Sequence, residues 1–207
     1  VTSSGPQQES SIRASCASGN FVAATTEALR RYGPELLGFL LSFHEDYDVA
    51  GDAFAVFCER LWQTLPEFEW RCSLRTWCYR LARSVAIDLQ RGEARHGRQV
   101  GLSSAPEVLA LAERTRTETL SFLRTEKRTA LERLRDELPE EDRTLLVLRV
   151  DRELEWREIA LVLAGAPRET DEASLVREAA RLRKRFQLVK DRLRSLARER
   201  GLLSGES

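Results

Sequence analysis

Methionine is missing from all 207 residues, histidine occurs twice, cysteine four times, and aromatic side chains make up only 7%. Each scarcity excludes something. His44 and His96 have no partner at metal-ligand spacing. Cys16, Cys58, Cys72 and Cys78 show neither the paired two-residue spacing of a zinc site nor a disulfide framework. They read as reduced thiols, with Cys58 and Cys78 inside apolar helical patterns where a small buried hydrophobe is expected. No metal and no other cofactor is implied. Catalytic patterns are missing too: there is no phosphate-cradling glycine motif, no Ser/His/Asp arrangement and no carboxylate pair near a histidine, so an enzyme is not expected. No run approaches the roughly 20 apolar residues of a membrane span. The first twenty residues, rich in Ser, Gln and Gly, lack the basic start and apolar core of a secretory signal. The expectation is a soluble, cytoplasmic protein. The missing methionine leaves Val1 as either an initiator read from an alternative start codon or the edge of a trimmed chain.

Net charge is lacking as well, 33 cationic residues balancing 33 acidic ones. The charges are nevertheless segregated. Residues 171–200 hold ten Arg or Lys against five acids, a net of plus five, whereas 35–69 is acidic. A cationic stretch suits nucleic acid, and the acidic one suits a protein partner.

What is present is helical periodicity, with no strand-like alternation and no internal repeat. The length suits two small domains of roughly 70 to 100 residues each. The fold class expected is all-α, two small helical domains joined by a linker. Residues 1–20 read as a disordered tail, 21–91 as the first domain, 92–126 as the linker and 127–203 as the second domain. Within the first, a helix from Thr25 carries Leu36, Leu37, Leu40 and Leu41 on one face, started or kinked at Gly33-Pro34. A second helix over about 49–64 is closed by Pro66. Ser73 can cap a third whose core stripe is Leu74, Trp77, Cys78, Leu81 and Val85, with Arg80, Arg83, Ser84 and Arg91 on the other side. Periodicity fails over 92–106. A charged helix is expected over 107–137, then one from Leu138-Pro139 through Arg149. A short helix over 156–163 has Trp156, Ile159, Ala160 and Leu163 on one face. A long basic helix follows, with Thr170 or Asp171 as cap and a seam of Leu175, Ala179, Leu182, Phe186, Val189, Leu193 and Leu196.

Short helix, turn and long basic helix have the order of a helix-turn-helix, whose second helix enters the major groove. Such a helix must bury one seam on its own domain while offering Arg and Lys to phosphates and base edges. Helical geometry favours Arg177, Arg181, Lys184 and Arg185 for that task, with Arg183 at the flank. An Arg-rich solvated face is the plainer reading of the helix alone; Trp156-Arg157-Glu158-Ile159-Ala160 tips it toward DNA. Residues 165–178 make the turn look expanded beyond the three or four residues of a compact one. In the first domain Phe68, Trp70, Trp77 and Tyr79 interleave with Arg71, Arg75, Arg80 and Arg83, a mixture suited to unpaired strands because rings stack on bases while cations track phosphates. Trp77 falls on the core stripe and reads as structural. Phe68 and Trp70, in a loop, are on general grounds hydrophobic plugs more often than base platforms.

The run Ser73-Leu74-Arg75-Thr76-Trp77-Cys78-Tyr79-Arg80-Leu81-Ala82-Arg83, with Asp88 beyond it, resembles region 2 of the extracytoplasmic-function (ECF) sigma factors, sigma-70 family, of bacterial RNA polymerase. Residues 52–62 resemble that family's polymerase-binding helix, and Phe68 after Pro66 matches its loop aromatic. Leu138-Pro139-Glu140-Glu141-Asp142-Arg143 and Trp156-Arg157-Glu158-Ile159-Ala160 resemble region 4 and its helix-turn-helix. The resemblance spans most of 25–200 in matching order. It departs at Ala55 and Val56, where the family has Gln-Glu, and at Ser84, where it has Asn.

What the resemblance implies is a factor that recruits core RNA polymerase to promoter DNA and takes part in its opening at initiation. Asp48, Asp52 and Glu59 would bind polymerase. Phe68, Trp70, Arg71, Arg80, Arg83 and Ser84 would hold the melted minus-ten strand, and Arg177, Arg181, Arg183, Lys184 and Arg185 would meet the minus-thirty-five duplex. An anti-sigma factor is a further partner the family allows. Two rivals stand beside this: a helix-turn-helix regulator that binds duplex DNA on its own, and a helical scaffold whose seam-bearing helix is a coiled-coil partner.

Overall fold

A computed structural model describes residues 9–44, 46–92, 104–125, 130–164 and 171–202. Among them every regular element is helical, as the periodicity implies. The chain divides into two compact units, 1–124 and 125–207.

The first unit is built on three long helices, α2 (Phe21–His44), α3 (Tyr47–Thr64) and α4 (Leu74–Gln90). Phe39, Phe54, Phe57, Leu61 and Tyr79 are fully buried among them. The Phe39 ring meets Phe43 and Tyr79 edge-on, each at 5.1 Å. Asp46 starts α3 by accepting from the backbone N–H groups of Asp48 and Val49, satisfying donors that a helix N-terminus leaves open. Those two bonds hold its carboxyl below the usual range. A single 3-10 turn, Leu65–Glu67, carries Pro66 and ends that element. Ser73 caps α4 as its sequence suggests, its hydroxyl accepting from Thr76 N–H at 3.1 Å.

Four expectations need correction here. Residues 1–8 of the expected tail lie outside the described residues, but 9–20 are ordered into the unit: α1 (Ser10–Ala17) buries Ile12 completely. One isoleucine amid Ser and Gly gives no periodic signal, and its partners are distant in sequence. Next, α2 starts at Phe21 and continues through Gly33-Pro34 without ending, because Tyr32, Leu36 and Leu37 on either side are buried. Gly33 serves a close approach instead, since a Cβ there would sit 2.9 Å from Thr115 Cγ2. The third correction concerns the expected linker. Its residues 93–103 lie outside the described set, but α5 (Pro106–Thr125) belongs to the first unit: Val108, Ala112, Thr115 and Leu120 are buried, with Thr115 against Gly33 of α2 and Leu120 beside Gly51 of α3. Tyr47 donates to the Leu123 carbonyl at 3.2 Å, closing that contact. The fourth is the core stripe of α4, where Leu74, Cys78 and Val85 are buried as expected but Trp77 and Leu81 are only half-buried. Thr76, Tyr79, Ala82 and Ala86 complete the buried face.

The second unit comprises α6 (Ala130–Asp136), α7 (Glu140–Leu146), a π-helical turn (Val147–Asp151), α8 (Trp156–Leu163) and α9 (Glu172–Glu199). Residues 126–129 of the expected 107–137 helix lie outside the described residues. Glu140, Glu141 and Asp142 occupy the first turn of α7, where carboxylates complement the helix dipole. A reciprocal capping box between Glu155 and Glu158 opens α8 at the expected residue. The α9 seam is as the spacing implies: Leu175, Ala179, Leu182, Val189 and Leu196 are buried, with Phe186 and Leu193 partly so. Its C-terminal half closes a core with Leu134, Leu138 and Leu146. Of the expected expanded turn, 172–178 are already helical, capped by Asp171; 165–170, Thr170 among them, lie outside the described residues.

Candidate nucleic-acid interface

Three surfaces, two in the first unit and one in the second, carry the residues singled out above. In the first unit the loop between the 3-10 turn and α4 gathers three rings. Phe68 stacks on Trp77 at 4.7 Å with an interplanar angle of 24°, and its centroid is 4.9 Å from that of Trp70. All three rings are half-buried. Trp70 adopts φ +58°, a left-handed conformation that costs a non-glycine residue about 1–3 kcal/mol and persists only where its surroundings hold it. Among those surroundings is the Arg13 guanidinium, 5.3 Å over the Trp70 ring. Arg71 next door is exposed and paired with Glu69 at 2.7 Å.

Trp77 lies on the helix strip that also carries Arg80 and Ser84, three and seven residues on, so the aromatic cluster runs directly into the basic face of α4. Trp77 is half-buried rather than fully enclosed, one side of it covered by Phe68. Arg80, Arg83 and Ser84 are half-buried, and burial pushes the Arg80 guanidinium below its ordinary value.

Two members of the interleaved set are removed from any interface. Tyr79 is 0% exposed and cannot stack on a base. Arg75 makes a two-pronged pair with Glu35, both bonds 2.8 Å, and lies over the Tyr79 ring at 5.5 Å. That guanidinium is spent on holding α4 to α2.

The acidic candidates share one strip of α3, since Asp48, Asp52 and Glu59 are four and seven residues apart. Asp48 and Asp52 are exposed and Glu59 half-buried. Asp48 is met by Arg124 of α5 at 2.9 Å, and Glu59 accepts from Gln63 at 3.1 Å. Ala55 falls in the middle of this strip, half-buried.

In the second unit α8 and α9 are packed as a pair, with Trp156 edge-on to Phe186 at 5.4 Å and the Arg149 guanidinium 4.9 Å over the indole. Arg157 of α8 also pairs with Glu172 of α9. Arg177, Arg181 and Lys184 occupy one exposed strip of α9 away from the seam, and Arg183 is exposed at its flank. Arg177 donates to Ser174 Oγ at 2.9 Å, and Arg181, its side chain 74% exposed, is 3.4 Å from Glu178. Arg185 differs. It is half-buried and donates to Asp142 and Glu141 of α7, each at 2.6 Å, which raises its pKa although desolvation opposes the shift. Its position on the seam side of the helix turns it toward its own domain.

Among the described residues no group of His, Cys, Asp and Glu could hold a metal ion, and no helix is long and apolar enough to cross a membrane. Cys58 and Cys78 are buried, and burial raises both thiols well above their ordinary range.

Residues 28–96, about a third of the chain, match the family model of Sigma-70 region 2. They take in most of α2, all of α3 and α4, and the aromatic loop. No curated protein matches the chain. The match is to that one region and falls within the first unit.

Proposed function

We propose that the chain is a sigma factor of the ECF group, which binds core RNA polymerase, brings it to a restricted set of promoters and helps to open them. The observation that carries this reading is the coincidence of the Sigma-70 region 2 match with the part of the first unit that holds both the acidic α3 strip and the aromatic loop running into the basic face of α4. Each surface then has a task. The strip of Asp48, Asp52 and Glu59 docks on polymerase. Phe68, Trp70 and Trp77, with Arg71, Arg80, Arg83 and Ser84, receive the unpaired strand, offsetting the few kcal/mol of lost stacking with ring contacts and phosphate pairing. In the second unit, α8 and α9 form the helix-turn-helix, and Arg177, Arg181, Arg183 and Lys184 meet the upstream duplex element. Arg185 serves the interior of its own domain. Bond-making chemistry belongs to the polymerase.

Reconstituted transcription tests this directly. Purified chain added to core polymerase should give initiation from a selected promoter, with promoter binding weak until core is present. Tight binding to a two-fold duplex site by the chain alone, with no association with core, would overturn the proposal in favour of an ordinary helix-turn-helix regulator.

A further inference from the structure

The segment before residue 20, which composition assigns no role, reaches the strand-capturing loop. Glu9 is 8% exposed, and its carboxylate accepts from the backbone N–H groups of Leu74 at 2.8 Å and Arg75 at 2.9 Å, as well as from the Tyr32 hydroxyl at 2.9 Å. A buried carboxylate is thus anchored on the N-terminus of α4, where the helix dipole favours negative charge. Burial, and after it the neighbouring Glu9 carboxylate, pushes the Tyr32 hydroxyl well above its ordinary pKa. Ile12, fully buried, fixes the next turn of α1. Arg13 stands four residues after Glu9 and so on the same side of the chain, which aims it at the loop just ahead of α4. Its backbone is held, its side chain is exposed, and its guanidinium lies over the ring of Trp70, the residue in the left-handed conformation.

We propose that Arg13 is a nucleic-acid-binding residue: carried by α1 to the edge of the Phe68–Trp70–Trp77 cluster, it takes a phosphate of the unpaired strand whose bases meet those rings. This rests on the strand-capture reading above and adds a third element, α1, to its surface. An arginine over an indole is a cation already in place where a stacked base would carry its phosphate past, and the planar guanidinium can keep ring contact and phosphate contact together. Arg71, the loop's own cation, is paired with Glu69, so the charge from α1 supplements one that is partly neutralised.

The test is capture of a randomised single-stranded deoxyoligonucleotide by the chain in complex with core polymerase, measured across a salt series. Arg13→Ala should weaken binding several-fold and reduce the slope of log affinity against log salt by about 0.7, the amount expected for one phosphate on a single strand. Arg13→Lys should restore the slope. Weaker binding with an unchanged slope, or a slope that lysine does not restore, would mean that Arg13 only props the Trp70 ring, and the proposal would be wrong. Unchanged affinity in Arg13→Ala would also defeat it while leaving the sigma reading intact. No capture by the wild-type complex would overturn both.

Discussion

The two units build their candidate surfaces by opposite means. In the first, the rings and cations are held by the interior: the loop leads into a helix whose start is fixed by Ser73 and a buried Glu9, and whose flank is pinned by Arg75 to Glu35. In the second, the cations stand on one solvated strip of a long helix, and its seam does the packing separately. A surface inherited from a core is rigid and sensitive to core damage. One laid on a helix face depends mainly on charge, and its members can be changed without unfolding the domain.

The sharpest way to break that contrast is Phe54→Ala. With the ring fully buried, truncation should cost about 3–5 kcal/mol in urea unfolding and take strand capture down with it. Arg181→Ala should leave stability unmoved and weaken upstream-element binding by about 1–3 kcal/mol if the guanidinium reads a base, or chiefly lower the salt slope if it meets a phosphate. Its near neighbour should do the reverse: Arg185→Ala removes two bonds to α7 and should lower stability by about 1–2 kcal/mol, with the smaller effect on DNA binding. Ser73→Ala, at the start of α4, should cost about 0.5–2 kcal/mol, reduced toward the lower end because Glu9 still caps the same turn. The smallest effect is a pH dependence. Asp171 accepts from Ser174 by side chain and backbone, which depresses its carboxyl, so its support for the start of α9 is fully present above the unfolded carboxyl value near about 4 and is lost as pH falls through the lower folded value. Asp171→Asn should remove that acid-range loss of helical circular dichroism.

The legibility of the two units differs for the same reason. The α9 seam could be read residue by residue because four- and three-residue spacing of Leu and Val survives in the sequence, and α8 starts where its capping residues stand. The α4 seam is legible only in part: Leu74, Cys78 and Val85 are buried where the spacing puts them, but Trp77 and Leu81 are half-buried. Trp77 looks like core and Tyr79 looks like a surface aromatic, yet Phe39 and the Arg75–Glu35 pair draw Tyr79 inward and leave Trp77 to stack on Phe68. Type and spacing place Arg71, Arg177, Arg181, Arg183 and Lys184 at exposed positions, where they are, whereas Phe68, Trp70, Arg80, Arg83 and Ser84 are half-buried. Arg185 was grouped with them because no local pattern reveals a carboxylate pair that lies 43 and 44 residues earlier in the chain.

Periodicity, capping residues and the segregation of charge determined by themselves that this chain is helical, that its long last helix has one apolar and one basic side, and where the aromatic loop falls, because each of these is written within a few turns of chain. Only the tertiary structure decided that α1 and α5 belong to the first unit, that Gly33 and Gly51 admit a neighbouring helix, and that Tyr79 is fully buried while Trp77 is only half so. Those outcomes depend on partners tens of residues away. A buried carboxylate on a distant helix start or a methyl group against a glycine leaves no periodic trace in the residues that make it.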